Sequence, residues 1–147
     1  MSETQSIVGT RVETHADDGF ERTRLTVHVG DAIAPARSAL LTATVYSVVE
    51  FLAAVEHAPP QGSAVIDIRL PPFTGARQAA EAEAFVHAAK GLVQSWTLER
   101  GSASSPANVV VSESGQDAAR EAAVEYFTSE LGAFSRGSLF DLREERK

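Results

Sequence analysis

The sequence contains no cysteine. Disulfide bonds, thiolate catalysis and zinc sites built on cysteine are therefore excluded. It also lacks any uncharged apolar run near the roughly 18 residues that a membrane-spanning helix requires. The opening segment, "MSETQSIVG", has neither the basic nor the apolar region of a signal peptide. We therefore expect a cytoplasmic protein that does not enter a membrane.

Basic residues are in the minority among the charged residues. Thirteen Lys and Arg stand against 20 Asp and Glu, which gives a formal net charge of -7. Apart from the C-terminal "REERK" the basic residues do not cluster, so we expect no nucleic-acid partner. The histidines, at positions 15, 28, 57 and 87, show none of the short spacings of metal ligands. No metal site is therefore predicted.

Five segments have the patterns of β-strands. Two short β-type runs, 6–13 and 24–31, predict a hairpin whose loop has about ten residues. Nearly continuous apolar runs at 63–70 and 108–112 are typical of central strands that are buried on both faces. The segment "GSLFDLR" near the C-terminus predicts a short last strand.

Three helices are predicted between these strands, at 35–57, 79–99 and 116–131. Alternation of strands and helices over 24–142 indicates a Rossmann-like three-layer α/β domain. We expect a βαβαβαβ order, a mainly parallel sheet, right-handed crossovers and helices on both faces. The strand at 6–13 adds an antiparallel edge.

The first two helices, 35–57 and 79–99, carry apolar residues most of the way round. A helix of this kind has to be covered on two sides. We expect the sheet to cover one side and a second chain to cover the other. The predicted interface residues are Tyr46, Val49, Phe85 and Trp96.

Four stretches of sequence carry a family resemblance. They are "VIDIRL", "VHAAKGLVQSWTLE", "PANVVVS" and "DAAREAAVEYFTSELGAFSRGSLFDL". In order and spacing they resemble the C-terminal part of a short-chain dehydrogenase/reductase, over roughly 24–142. The resemblance implies one truncated, degenerate domain over 1–147. In that domain a hairpin at 1–31 replaces the nucleotide-binding half, 32–142 form the core and 143–147 are a charged tail.

The residues that such a dehydrogenase needs for hydride transfer are largely missing. Val86 stands where the resemblance places the catalytic tyrosine, and it has no proton to give. The serine position falls on Arg69 or Leu70, the asparagine position falls near Thr42, and only Lys90 matches the family pattern. The chain also lacks a glycine-rich nucleotide loop. We therefore predict no catalytic residues and no cofactor.

Three functions remain open. The first is a non-catalytic protein that forms a homodimer through 35–57 and 79–99, or that pairs with a full-length short-chain dehydrogenase subunit. The second is a divergent NAD(P)-dependent oxidoreductase of the same family. The third is a module that binds a small ligand or an acyl carrier at the carboxyl ends of the strands, around Arg69, Phe73 and Ser112. Arg69 could equally pair with Asp67.

Overall fold

The strands of the protein form one sheet in a computed structural model. The structure describes residues 3–4, 10–17, 20–28, 37–56, 62–71, 75–100, 106–129, 132 and 135–143. Within these residues the sheet has six strands, and their spatial order follows the chain. The strands are β1 (Glu3–Thr4), β2 (Thr10–Asp17), β3 (Phe20–His28), β4 (Gly62–Leu70), β5 (Ala107–Glu113) and β6 (Leu139–Asp141).

Three helices connect the parallel strands in the described part of the chain. They are α1 (Arg37–Glu56), α2 (Ala76–Arg100) and α3 (Asp117–Thr128), and they agree with the predicted helices to within a turn. β1, β2 and β3 pair antiparallel, whereas β3, β4, β5 and β6 pair parallel. The predicted fold, a Rossmann-like three-layer α/β arrangement with an N-terminal hairpin, is confirmed.

The N-terminal hairpin is tighter than the sequence analysis predicted. β2 continues to Asp17, β3 begins at Phe20, and these two residues are register partners. The expected loop of about ten residues is therefore wrong. The two residues between the strands, Asp18 and Gly19, lie outside the described residues, but this dipeptide is a strong signal for a two-residue hairpin turn. The end of β2 and the start of β3 carry mostly polar side chains, so they lack the apolar alternation from which strands are predicted.

β4 and β5 are interior strands of the sheet, and each is buried on both faces. Alternate side chains point to opposite faces of a strand. Ile66 and Ile68 of β4 therefore belong to the core shared with α1 and α2. Val65 belongs to a second core, with Val110 of β5 and Phe127 of α3. The sheet thus has α1 and α2 on one face and α3 on the other.

α2 is buried on two sides within a single chain, because it packs against both the sheet and α1. Apolar residues on two sides of α2 are inside the first core: Phe85 and Trp96 on one side, Val86 and Val93 on the other. The expectation that Phe85 and Trp96 face a partner chain is therefore corrected. Helical periodicity predicted the second buried side, but it did not predict that α1 would cover it.

The connections between the parallel strands do not all have the same hand. Successive parallel strands advance in one direction across the sheet, so crossovers of equal hand would place every helix on the same face. α3 lies on the opposite face from α1 and α2. The expectation of right-handed crossovers throughout is therefore wrong. Since right-handed connections predominate, we assign the left-handed crossover to α3.

The segment that leads from α3 back to β6 is held by the buried amide of Asn108 in β5. Asn108 Nδ2 donates to the Ser135 carbonyl at 2.9 Å, and its Oδ1 accepts from the Ser138 N–H at 2.9 Å. Between these two contacts, the N–H of Gly137 donates to the Ala107 carbonyl. Gly137 has a φ of +71°, which favours glycine. One buried side chain therefore fixes the return of the unusual crossover.

Replacing Asn108 with alanine should destabilise the protein by about 1–3 kcal/mol, because the Ser135 carbonyl and the Ser138 N–H lose their partner in two part-buried hydrogen bonds. Urea unfolding monitored by circular dichroism measures this loss. Gln94→Ala is the matched control, since the exposed Gln94 makes only a 3.4 Å contact with the Gly137 carbonyl. The control should lose no more than about 0.5 kcal/mol. Equal losses in both variants would contradict the role of Asn108.

Candidate functional site

A cleft opens at the carboxyl ends of the parallel strands. From β4 the chain leads to α2 on one face, and from β5 it leads to α3 on the other. A crevice forms where neighbouring connections diverge in this way, and open α/β sheets commonly bind ligands there. The cleft has a volume of about 360 Å³ and lies between the ends of β3, β4 and β5 and the first turn of α3.

The strand register brings three cleft residues into one row. Arg69 of β4 is the register partner of His28 in β3 and of Ser112 in β5. All three line the cleft, together with Arg120 of α3. Two of the ligand-site candidates predicted from the sequence, Arg69 and Ser112, are therefore adjacent. The third candidate, Phe73, lies outside the described residues.

Arg69 is held by the carboxylate that the sequence analysis named as its alternative partner. Its Nη2 lies 3.0 Å from Asp67 Oδ2, and its Nε donates to the same oxygen at 3.1 Å. Arg24 of β3 approaches that oxygen as well, with its Nη2 at 2.7 Å. Asp67 is fully buried, and its other oxygen, Oδ1, has no hydrogen-bond partner.

The charged network continues from the sheet to α3. Arg24 Nη2 lies 2.9 Å from Glu121 Oε2, and Arg120 Nε lies 3.4 Å from that atom. Arg120 Nη1 also binds Asp117 Oδ1 at 2.9 Å. Three guanidinium groups and three carboxylates thus connect β3, β4 and α3, and three of these side chains, Arg69, Asp117 and Arg120, line the cleft.

Proton affinities within the network follow from these contacts. The guanidinium of Arg24 donates to the Glu121 carboxylate and lowers the pKa of Glu121 below its ordinary value. Burial by itself lowers the pKa of Arg24, but its hydrogen bonds to Glu121 and Asp67 outweigh that effect and raise it. Both partners therefore remain charged at neutral pH.

Ser112 differs from the other polar residues of the cleft. It is fully buried, and its Oγ has no hydrogen-bond partner in the part of the chain that the structure describes. A buried hydroxyl without a partner is uncommon, because its desolvation is not compensated. Nearby, the Gln116 side chain accepts from the Glu113 N–H and donates to the Leu142 carbonyl, so it does not cap α3.

Of the positions matched to dehydrogenase chemistry, only the serine position, Arg69 or Leu70, lies at this cleft. The tyrosine, lysine and asparagine positions lie on the two other helices. Val86 is buried in the core shared by α1, α2 and the sheet. Lys90, one turn further along α2, is half-buried. Thr42 lies in α1, and its side chain is outside the described residues. None of the described cleft-lining residues is one of these three helix positions.

The predicted interface residues separate into two groups. Tyr46 and Val49 of α1 are 63% and 40% exposed, so they are available to a partner. Phe85 and Trp96 of α2 are only 1% and 9% exposed, because they pack between α1 and the sheet. The accessible part of the predicted interface is therefore the outer side of α1.

A second cavity, of about 530 Å³, lies between α3 and the strands β2 and β3. Arg22, Arg24, Glu13 and Glu121 are among its lining residues. This groove was not predicted from the sequence, because it depends on the face that α3 covers.

Among the described residues no group of three His, Asp or Glu is placed to hold a metal ion. No described helix combines the length and apolarity needed to cross a bilayer.

The sequence analysis also missed Arg24, Arg120 and Glu121. Arg24 lies 43 positions from Asp67 and 97 from Glu121, beyond the reach of any local pattern. One signal was present, since Asp67 is a carboxylate within an otherwise apolar strand and such a group requires a buried partner.

No protein-family model, curated protein or solved structure shows significant similarity to this chain.

Replacing Glu121 with glutamine should destabilise the protein at neutral pH and have little effect in acid. The pKa of Glu121 is lowered by folding, so its contribution is complete above the ordinary value of 4.5 and is lost as the pH falls through the lowered value. Because the carboxylate is half exposed, we expect a loss of about 0.5–1 kcal/mol near pH 7.

Denaturant unfolding at about pH 7 and about pH 3 measures this difference. Glu125→Gln is the control, because Glu125 is exposed on the same helix and makes no side-chain ion pair in the described structure. The control should be close to wild type at both values. A Glu121→Gln loss that is equal at both pH values would contradict the pairing with Arg24.

Proposed function

We propose that this chain is a non-catalytic relative of the short-chain dehydrogenases that acts by association. Its partner is either a second copy of itself or a full-length short-chain dehydrogenase subunit. The order of strands and helices over 20–141 is compatible with the four stretches of the family resemblance. What supports a role in association is the outer surface of α1 and α2.

The observation that carries the proposal is the apolar, solvent-facing side of these two helices. Tyr46 and Val49 are three positions apart on α1, and residues so spaced lie on one helix face. Leu98 of α2 is 85% exposed. α1 and α2 lie side by side on the same face of the sheet, so their outer sides form one surface. Exposed apolar residues that are grouped in this way commonly mark an interface.

The outer side of α2 also permits close approach of another helix. Its exposed residues recur at helical spacing and most of them are small. At Gly91 an added Cβ would meet no atom within 4 Å. The distance between packed helices depends on the side chains at the contact, so small residues allow tight packing. The exposed small residues are Ala76, Ala80, Ala84, Gly91 and Ser95.

The non-catalytic part of the proposal rests on Val86. If the family alignment holds, this buried hydrocarbon occupies the tyrosine position and has no proton to give. In the chain, β4 is preceded by the antiparallel hairpin of β2 and β3, and β3 is also the first of the parallel strands. In the proposal, this hairpin stands in place of the strands and helices that would hold a nucleotide.

The first test is the native mass of the protein purified gently from its own cells, with each copurifying chain identified. A homodimer, or a complex of equal parts with a full-length short-chain dehydrogenase, agrees with the proposal. The two results distinguish its two forms. A monomer without a partner at cellular concentration would contradict it.

Val49→Asp should dissociate the complex, because the interface would have to bury an uncompensated charge. Val49 is already exposed, so the substitution should leave the fold intact. Light scattering measures the mass, and circular dichroism verifies the fold. The matched control is Tyr126→Asp, since Tyr126 is 48% exposed on α3 at the other face of the sheet. A folded Val49→Asp variant that keeps its full mass would refute this interface.

We also expect the chain to bind no nicotinamide cofactor. The sequence has no glycine-rich turn that would let a pyrophosphate approach a helix N-terminus. Calorimetric titration with NADPH should give no saturable heat, whereas an active short-chain dehydrogenase measured alongside should bind. Saturable binding by this chain would favour the divergent oxidoreductase instead.

A further inference from the structure

We propose that the cleft between the carboxyl ends of β4 and β5 binds a small organic monocarboxylate. Ser112, the first turn of α3 and the guanidinium groups of Arg69 and Arg120 would hold it. This binding site is separate from the proposed association surface, because the cleft lies on the α3 side of the sheet. Its position at the divergence of the two connections is the one that favours ligand binding in open α/β sheets.

Ser112 supplies the first observation. Ser112 lines the cleft and is fully buried, and among the described residues its Oγ has no hydrogen-bond partner. A hydroxyl in this state has an unused donor and unused acceptor capacity. The carboxylate of a ligand in the cleft can accept the hydroxyl proton of Ser112, which would satisfy the buried donor.

The amino end of α3 supplies the second observation. α3 has 12 residues and no side-chain cap at Gln116. The N–H of Arg120 donates to the Gln116 carbonyl, so the N–H groups of Ala118 and Ala119 precede the first helical hydrogen bond. Such groups attract anions. Asp117 and Arg120 of this first turn line the cleft, and Gly115, which follows the cleft-lining Ser114, has a φ of +89°.

Each of the two arginines that line the cleft has one nitrogen without a contact to the described residues. Arg69 contacts Asp67 through Nε and Nη2, which leaves Nη1. Arg120 contacts Glu121 through Nε and Asp117 through Nη1, which leaves Nη2. Guanidinium groups bind carboxylates well, because their planar donors match the two oxygens.

The charge of the lining selects a monoanion over a dianion. Glu113 and Asp117 line the same cleft as Arg69 and Arg120, so the charges of these four side chains cancel. Asp67 and Glu121 add negative charge next to the two arginines. One added negative charge can be met by the unused donors of the guanidiniums, Ser112 and α3. The second charge of a phosphate would meet repulsion from Glu113 and Asp117. The volume of about 360 Å³ is near the lower limit for ligand pockets and suits a small molecule.

The test is a titration of the uniformly ¹⁵N-labelled full chain, followed by amide chemical shifts. The probes are sodium propionate, inorganic phosphate and sodium chloride at matched ionic strength. Propionate should give saturable shifts at Gly115, Ala118 and Ala119. Phosphate should bind at least about fivefold more weakly, since its second charge is opposed. Equal, non-saturating shifts with all three salts would overturn the proposal, and tighter binding of phosphate would overturn the monocarboxylate class.

Two variants place the ligand within the cleft. Ser112→Ala and Arg69→Gln should each weaken propionate binding by about fivefold or more, because each removes a donor. Ser112→Ala removes only an unpartnered hydroxyl, so it should fold normally. Ser95→Ala, on the exposed side of α2, should bind propionate as the wild type does. Unchanged affinity in Ser112→Ala would refute this site.

Val49→Asp alters only the association surface. If that variant binds propionate as the wild type does, the ligand site does not depend on association, and the two proposals can fail independently.

Discussion

Asp67 is a carboxylate in the middle of a strand that is buried on both faces, and the arrangement of the layers around it depends on its partners. Arg24 reaches Asp67 from the neighbouring strand and binds Glu121 of α3 with the same nitrogen. A buried ion pair often stabilises a fold less than hydrophobic residues of similar size would. What the network adds is specificity, because it connects one face of the sheet to α3 at a fixed position. Arg69, which binds the same Asp67 oxygen, is thereby fixed beside the cleft.

The face that α3 covers determines both candidate surfaces. If α3 had followed α1 and α2 to the same side, the connections of β4 and β5 would leave the sheet in the same direction. No divergence would then separate the ends of these strands, and the cleft beside Ser112 would not form. Because α3 lies on the other face, no third helix among the described residues covers the outer sides of α1 and α2. One crossover of unusual hand therefore produces the cleft and leaves the helix pair accessible.

The parts of the fold that could be predicted from sequence are those that depend on local patterns. Continuous apolar runs identified β4 and β5, because strands buried on both faces have no polar alternation. The helices were predicted to within a turn. The predicted hairpin loop was too long, because the parts of β2 and β3 next to the turn carry polar side chains. The face that α3 covers could not be predicted, since helical periodicity specifies an apolar side but not the face of the sheet that receives it.

In the candidate site, too, the residues in local patterns could be predicted and those that depend on distant contacts could not. Arg69 and Ser112 were predicted because they end strands that a parallel sheet brings side by side. Arg24 and Glu121 were not predicted, because their contacts cross most of the chain and depend on the position of α3. Phe85 and Trp96 were assigned to an interface on the basis of their spacing. That spacing is the same whether the covering helix belongs to the same chain or to another, and α1 is the covering helix.

The two proposed roles are compatible because they use opposite faces of the sheet. A partner that covers Tyr46 and Val49 would lie against α1 and α2, whereas the cleft opens beside the first turn of α3. Association would therefore not close the cleft. β4 lies between the two surfaces: Ile66 and Ile68 pack toward α1 and α2, and Asp67 and Arg69 extend toward α3. A ligand that moved Arg69 would act on a strand whose other face supports the association surface, so any coupling between the two roles would pass through β4.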